Sequence, residues 1–468
     1  MRRSRLPILV AVATAWLVAP APASAHGLVQ RANLPIPEEL FLVAACIVLV
    51  LSFVALAALW PQPRMEERPP WRPLPGGLGR ALGSRPAEWV CGALGIALLV
   101  VVVLAGYLGS GTALDNFAPT FILITFWVGV AFLSVLLGDV FRAFSPWRAL
   151  GRLLPGSGGV RPYPERLGRW PAAAGLLAFT WIELASGWGE APATLVTAVV
   201  GYTLLTLVAQ AIWGVEAWSR YGETFSVYFN LFARISAFET RERVVGLRPP
   251  LAGLPRLDSP PGTVALVAVM IGTVTFDGLT QGSLWRSLGV ELTEAATALG
   301  VPLATAPRVA DTLGMLACVA LVGGFYRAGI AGARSVGGEL GAERLRRGFV
   351  HSLVPIAMVY VAAHYLTFLL FEGQAISYLA SDPFGQGWDL FGTASAAIDY
   401  SLLSQNGAWY LQVAFVVAGH VAALVLAHDR ALALYGDSEL AVRSQYWMLS
   451  VMVGFTCLAL WLLKQAGG

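Results

Sequence analysis

A few titratable residues interrupt the apolar stretches of this chain, and they are the ones with chemistry to offer. Glu183 stands in "FTWIELASG", Asp277 in "TVTFDGLTQG" and Asp311 just beyond; His351 and His364 share one apolar run, and His420 and His428 share another. Ionisable side chains within apolar spans are costly and mark functional positions. Imidazole beside carboxylate suits a transition metal such as copper, zinc or iron. It equally suits a proton relay or an activated water, because histidine titrates near neutral pH. Spacing limits the partnerships. On one helix, residues 351 and 364 lie about 20 Å and roughly 220° apart, and residues 420 and 428 about 12 Å and 80° apart. Neither pair can share an ion from a single helix. Depth matches across helices instead, putting His364, Asp277 and Glu183 in the same half of the membrane, with His420 lower. His351 and His428 fall at the opposite edge, where a headgroup or a backbone carbonyl is the expected partner. Glu372, at the end of the His364 run, and His26 are further candidates for the outer site. There His364, Asp277, His26 and His420 are the metal-ligand candidates, and Glu183, Asp277 and Glu372 the substrate or proton-relay candidates. No residue is assigned a catalytic role.

The elements that must position these residues are membrane helices. The chain is 57% hydrophobic and 13% charged, far from the roughly 25% charged residues of soluble proteins. Windows of about 20 apolar residues, enough to cross a bilayer, recur throughout. Residues 1–25 carry Arg2, Arg3 and Arg5, then an apolar run and Ala-Pro-Ala-Ser-Ala, which reads as a signal peptide cleaved before His26. Ten spans follow: 40–60, 89–109, 119–141, 171–188, 194–214, 263–285, 309–330, 348–371, 408–428 and 444–464. With His26 outside, 24 of the 31 Lys and Arg residues fall in inside loops and four outside, the remaining three being in the signal. This is the positive-inside pattern. It predicts an all-α, polytopic helix bundle of about ten transmembrane helices. The expected setting is a bacterial cytoplasmic membrane, with the N-terminus outside after cleavage.

Residues 26–468 form one integral-membrane domain with no room for a soluble catalytic domain. The longest inside loop, 215–262, opens with Tyr221, Phe225, Tyr228, Phe232 and Ile235 on one helical stripe, expected to lie in the membrane interface. Beyond Phe238, Arg, Pro and Gly predict a linker. Ser145-Pro146 predicts a short helix start. The outer loop 372–407 has four acids, no Lys or Arg, and interleaved aromatics; it is expected to be a lid or a docking surface for an extracytoplasmic protein. The four cysteines form no CxxC pair, so they read as structural thiols rather than a disulfide or zinc framework. The net charge of +3, with arginines dispersed in loops, excludes a nucleic-acid face. No Walker A, GxSxG, HExxH or flanked GxGxxG motif occurs, which leaves nucleotide-driven and serine-hydrolase chemistry without a basis.

Several strings resemble a family of bacterial multi-span proteins labelled fenitrothion hydrolase, or its membrane component: "AHGLVQRANLPIPEELF", "TVTFDGL", "FVHSLVPIAMVYVAAHY", "LLFEGQ", "SDPFGQGWDLFGT" and "VAGHVAALVLAHDRALALY". The resemblance runs from His26 to about Tyr435 and implies a membrane fold and cleavage of organophosphorus triesters. The residues themselves favour an outward-facing polar, metal-binding site that handles or translocates a metal or small solute, or a membrane subunit of a complex. A metal-dependent membrane hydrolase of such triesters is the alternative. A haem-binding electron carrier, with axial imidazoles from adjacent helices, ranks lower because His364 and His420 differ in depth by about 7 Å.

Overall fold

The computed structural model describes residues 38–337 and 340–466. The expected signal peptide and His26 lie outside the described residues. The helices of ten residues or more are α1 (Glu38–Leu59), α2 (Arg85–Leu108), α3 (Phe117–Leu137), α4 (Trp170–Leu184), α5 (Pro192–Trp213) and α6 (Thr224–Ala233). They continue with α7 (Thr263–Thr280), α8 (Ser283–Ala298), α9 (Ala306–Ser335), α10 (Ala342–Leu370), α11 (Gln405–Tyr435) and α12 (Ser438–Ala466). The protein is an all-α polytopic bundle, and among the described residues nine helices are long and apolar enough to cross a membrane.

Local chemistry sets many of the helix starts. Proline, whose missing N–H costs nothing in a first turn, opens α2, α4, α5 and α9. Ser84 and Ser404 cap α2 and α11 by accepting from the Ala87 and Gly407 amides, satisfying donors that a helix start leaves orphaned. Ser145 does the same for the expected short helix, Pro146–Leu153.

The expected span 171–188 is shorter than read. At 15 residues, α4 is about 22 Å long, against a hydrocarbon core of about 30 Å. Its sequence runs on into a turn, where Gly187 takes a positive φ of 71° and Ser186 Oγ accepts from the Trp188 amide.

Burial separates the helices. Of the apolar windows, 83% of α10 and 78% of α7 is buried, against 17% of α1. So α7 and α10 form the centre, and a polar residue on either faces protein rather than lipid. Close packing there depends on small residues, as in other membrane bundles. A Cβ added at Gly272 of α7 would stand 2.5 Å from Val319 Cα of α9.

Two expectations for the 215–262 loop are overturned. The stripe at Tyr221 to Ile235 does not lie on the membrane surface. It forms Val215–Tyr221 and α6, and Tyr228, Phe229 and Phe232 are among the largest fully buried side chains. Apolar residues on every face bury a helix all round, and α6 packs against α3, α4 and α10. Nor is the following stretch a bare linker. Phe238–Arg241 (β2) and Val244–Leu247 (β3) form a hairpin joined by Arg72–Pro73 (β1), in the order β1-β3-β2, antiparallel throughout. Backbone pairing holds this segment, and no hydrophobic periodicity announces it. A further element, α8, occupies what reads as an outer loop; its Trp285 donates to Asp311 of α9 at 3.1 Å.

Two features divide the bundle. The first is an ion-pair layer at the arginine-rich end. Arg148 is buried between Glu88 (2.6 Å) and Glu216 (2.9 Å), and Arg152 pairs with the same two acids. Asp258 gathers Arg169 (2.8 Å) and Arg220 (2.9 Å). The second is an apolar cleft of about 1050 Å³ lined by α2, α3, α4, α5 and α6.

Candidate functional site

Asp277 sits in the last turn of α7, about 5 Å from its end, and His364 lies six residues from the end of α10, about 9 Å away. Both ends are on the arginine-poor side of the bundle. Since α7 and α10 are the buried helices, the two side chains meet inside the protein. His364 Nε2 lies 2.9 Å from Asp277 Oδ2, and Tyr365 donates its hydroxyl to the same oxygen at 2.6 Å. Asp277 is fully buried and His364 is 8% exposed. A carboxylate so deep is stabilised only by donors aimed at it, and two neighbouring residues of one helix supply them.

The expected companions divide. Glu183, one residue from the end of α4, is within electrostatic range of the Tyr365 and Tyr228 phenols. Tyr228 stacks on Trp127 with ring centroids 4.6 Å apart, and Trp127 meets Phe179 at 4.9 Å. Trp127 belongs to a π-wound stretch, Thr120–Gly129, of α3, a winding that recurs at functional sites. Glu372 is drawn away toward the outer loop, where it accepts weakly from Tyr400 at 3.5 Å. His420 is fully buried but lower, beside Tyr360 with centroids 6.3 Å apart. Its Nδ1 is 2.7 Å from the Val416 carbonyl, and its Nε2 has no hydrogen-bond partner among the described residues. It does not join Asp277 and His364. Among the described residues no three His, Cys, Asp or Glu side chains gather in a metal-binding group. The contacts of the pair bring together an imidazole, a carboxylate and a phenol.

A cavity of about 30 Å³ adjoins the pair, lined by His364, Gly278, Tyr360 and Val416 among others. Its other lining residues are apolar apart from Tyr360, whose hydroxyl already donates to the Phe455 carbonyl at 3.0 Å.

The histidines at the other edge are held by backbone oxygens and an amide. His351 is buried, with Nδ1 2.8 Å from the Gly348 carbonyl. His428 has its two ring nitrogens 3.0 Å from Gln445 Oε1 and 3.0 Å from the Trp60 carbonyl. Both nitrogens of His428 are thus engaged by protein oxygens. Asp429 accepts from Trp60 Nε1 and from the Arg64 and Met65 amides, and Arg430 pairs with Glu66 at 3.2 Å. The sequence His428-Asp429-Arg430 is a clamp on the chain leaving α1.

In the outer loop the acids serve the backbone. Asp382 accepts from the Gln386 and Gly387 amides, Asp389 from Ala394 and Asp399 from Ser401. Trp388, Leu390, Phe391 and Tyr400 stay exposed. The cysteines bring one surprise: Cys46 of α1 and Cys457 of α12 lie 3.5 Å apart, Sγ to Sγ, a contact that spacing along the chain does not reveal. Tyr365 is the site residue missed in the sequence. Its signal was adjacency to His364 on a helix with no lipid-facing side.

No protein-family model, curated protein or solved structure matches this chain.

Proposed function

We propose that this membrane protein carries a cationic solute or metal ion, or its coupling proton, with Asp277 and His364 as acceptor and Tyr365 as the positioning group. The observation that carries this reading is the convergence of His364 and Tyr365 on one oxygen of a fully buried carboxylate. A buried acid and imidazole exchange charge with a cation or proton at small geometric cost, whereas a structural role would be met by an uncharged pair. The metals that suit imidazole and carboxylate are copper, zinc and iron. The arginine distribution supports a cytoplasmic membrane, the arginine-rich layer inside and the Asp277 site toward the outside. Its exposed aromatic residues make loop 372–407 the place for an extracytoplasmic partner, should the chain be a subunit of a larger complex.

The test is uptake of copper, zinc and iron into vesicles containing the protein, with metal content read by mass spectrometry. Asp277→Asn and His364→Ala should abolish uptake, and His428→Ala should leave uptake per folded molecule intact. Wild-type rates from Asp277→Asn would sink the proposal. The hydrolase reading, which rests on the resemblance, uses the same pair to activate water. Release of the phenol from a phosphotriester by purified protein, lost in His364→Ala, would favour it instead.

A further inference from the structure

Of the four cysteines, two are in contact. Cys46 of α1 and Cys457 of α12 have their sulfurs 3.5 Å apart, although 411 residues of chain separate them. A disulfide needs about 2.05 Å, so closing the bond takes a movement of about 1.5 Å between two helices that already pack together. The remaining thiols have other surroundings. Cys318 is packed among Phe276, Trp285 and Met315, and Cys91 stands on α2.

Where the pair sits limits what can react with it. Cys46 is six residues beyond Leu40, the start of the α1 span, and Cys457 five residues before Leu462, the end of the α12 span. Each sulfur is thus carried about 8 Å inside an apolar segment. Both cysteines are half-buried rather than enclosed, and Val43, Ile47 and Val50 beside them on α1 are exposed. In a bilayer that face meets lipid. A charged, water-soluble oxidant is kept from such a position by the cost of taking charge into the membrane, whereas an apolar one reaches the sulfurs from the hydrocarbon. Two thiols that become a disulfide release two electrons and two protons together. An acceptor that takes up both leaves no charge behind, which is what an apolar setting requires.

We propose that Cys46 and Cys457 form a redox site whose substrate is a lipid-soluble quinone. Both S–H bonds break and one S–S bond forms; the two electrons and two protons pass to the quinone, whose two carbonyls become hydroxyls. The disulfide fastens α1 to α12 toward one end of α1, and the clamp at His428, Asp429 and Arg430 already holds the chain leaving the other. With 17% of its window buried, α1 is held by less packing than α7 or α10, so a second fastening matters most there. The site shares no residue with the Asp277 pair, and it stands or falls apart from the transport reading.

Full-length protein in lipid nanodiscs, reduced and kept free of oxygen, is given decylubiquinone, then alkylated and digested. Wild type should yield the peptide linking Cys46 to Cys457 by mass spectrometry, with one quinol formed for each disulfide. Cys46→Ser should yield neither product, and Cys91→Ser should yield both. Oxidised glutathione at the same concentration should act at least about tenfold more slowly, because access limits thiol–disulfide exchange. Oxidised wild type should melt at a higher temperature than reduced wild type, a difference that Cys46→Ser lacks. No linked peptide with decylubiquinone, or a linked peptide without quinol, overturns the proposal on wild type alone, whether or not the variants fold. Equal rates from oxidised glutathione overturn access through lipid, and equal melting temperatures overturn the fastening.

Discussion

The two ends of this bundle treat charge in opposite ways. At the arginine-rich end, acids and arginines are shared several ways: Glu88 meets Arg148, Arg152 and Arg243, and Asp258 meets Arg169, Arg220 and, at 4.0 Å, Arg234. At the other end a single buried carboxylate, Asp277, takes a histidine and a tyrosine on one oxygen. A network with several partners per charge keeps its shape when one is lost, which is what holding loops together requires. Asp277 instead holds two donors from neighbouring residues of one helix on one oxygen, so a change in its charge bears directly on both. Charges shared among loops serve the scaffold, whereas donors aimed at one buried oxygen form the site.

The largest effect that can break this comparison is functional. Asp277→Asn should abolish cation uptake yet leave the melting temperature unchanged or raised, because burying a carboxylate costs several kcal/mol. If its loss unfolded the protein instead, the site would be scaffold. Arg148→Met should do the reverse, lowering stability by about 3 kcal/mol in chemical denaturation while uptake per folded molecule holds. Tyr365→Phe sharpens the comparison within the site. Losing one hydrogen bond to a charged group, worth roughly 1.5–3 kcal/mol, should weaken substrate affinity about tenfold or more while His364 still reaches Asp277. A pH series tests the layer alone. Burial raises the Asp258 carboxyl, but Arg169 and Arg220 beside it more than offset this and hold it below the usual carboxylate range. Glu216 is lowered likewise, by Arg148 and Arg152 acting against burial. A depressed folded pKa stabilises above the unfolded value, near 4, and that stability is lost as pH falls through the folded value. The melting temperature should therefore drop as pH falls from about 5 to 3, and Asp258→Asn should blunt the drop. The smallest effect is geometric. Adding a mild oxidant should join Cys46 to Cys457, seen as a disulfide-linked peptide by mass spectrometry, and Cys457→Ser should abolish that product.

Much of the architecture was legible because a bilayer imposes simple rules. Apolar length and arginine position placed the membrane spans, and the Ser145-Pro146 start was read from capping chemistry. The readings that failed did so where packing, not lipid, sets the environment. The stripe at Tyr221 to Ile235 carries the same amphipathic signal whether it lies on a membrane or under a bundle. The strands at 72–73 and 238–247 are backbone pairings between distant segments with no local period. At the site, His364 and Asp277 were legible as polar residues at one depth. Their contact, and the part played by Tyr365, were not.

The sequence by itself determined that this chain crosses a membrane many times, and where its costly residues sit along each crossing, because hydropathy and charge act residue by residue. Only the tertiary structure decided which helices are central. That choice turned His364 inward onto Asp277, left His420 apart, buried α6, brought Cys46 to Cys457 and opened a cleft beside α4. The reason is physical: the direction a helical residue faces depends on its helix's neighbours, and neighbours distant in sequence are chosen by the packing of the whole bundle.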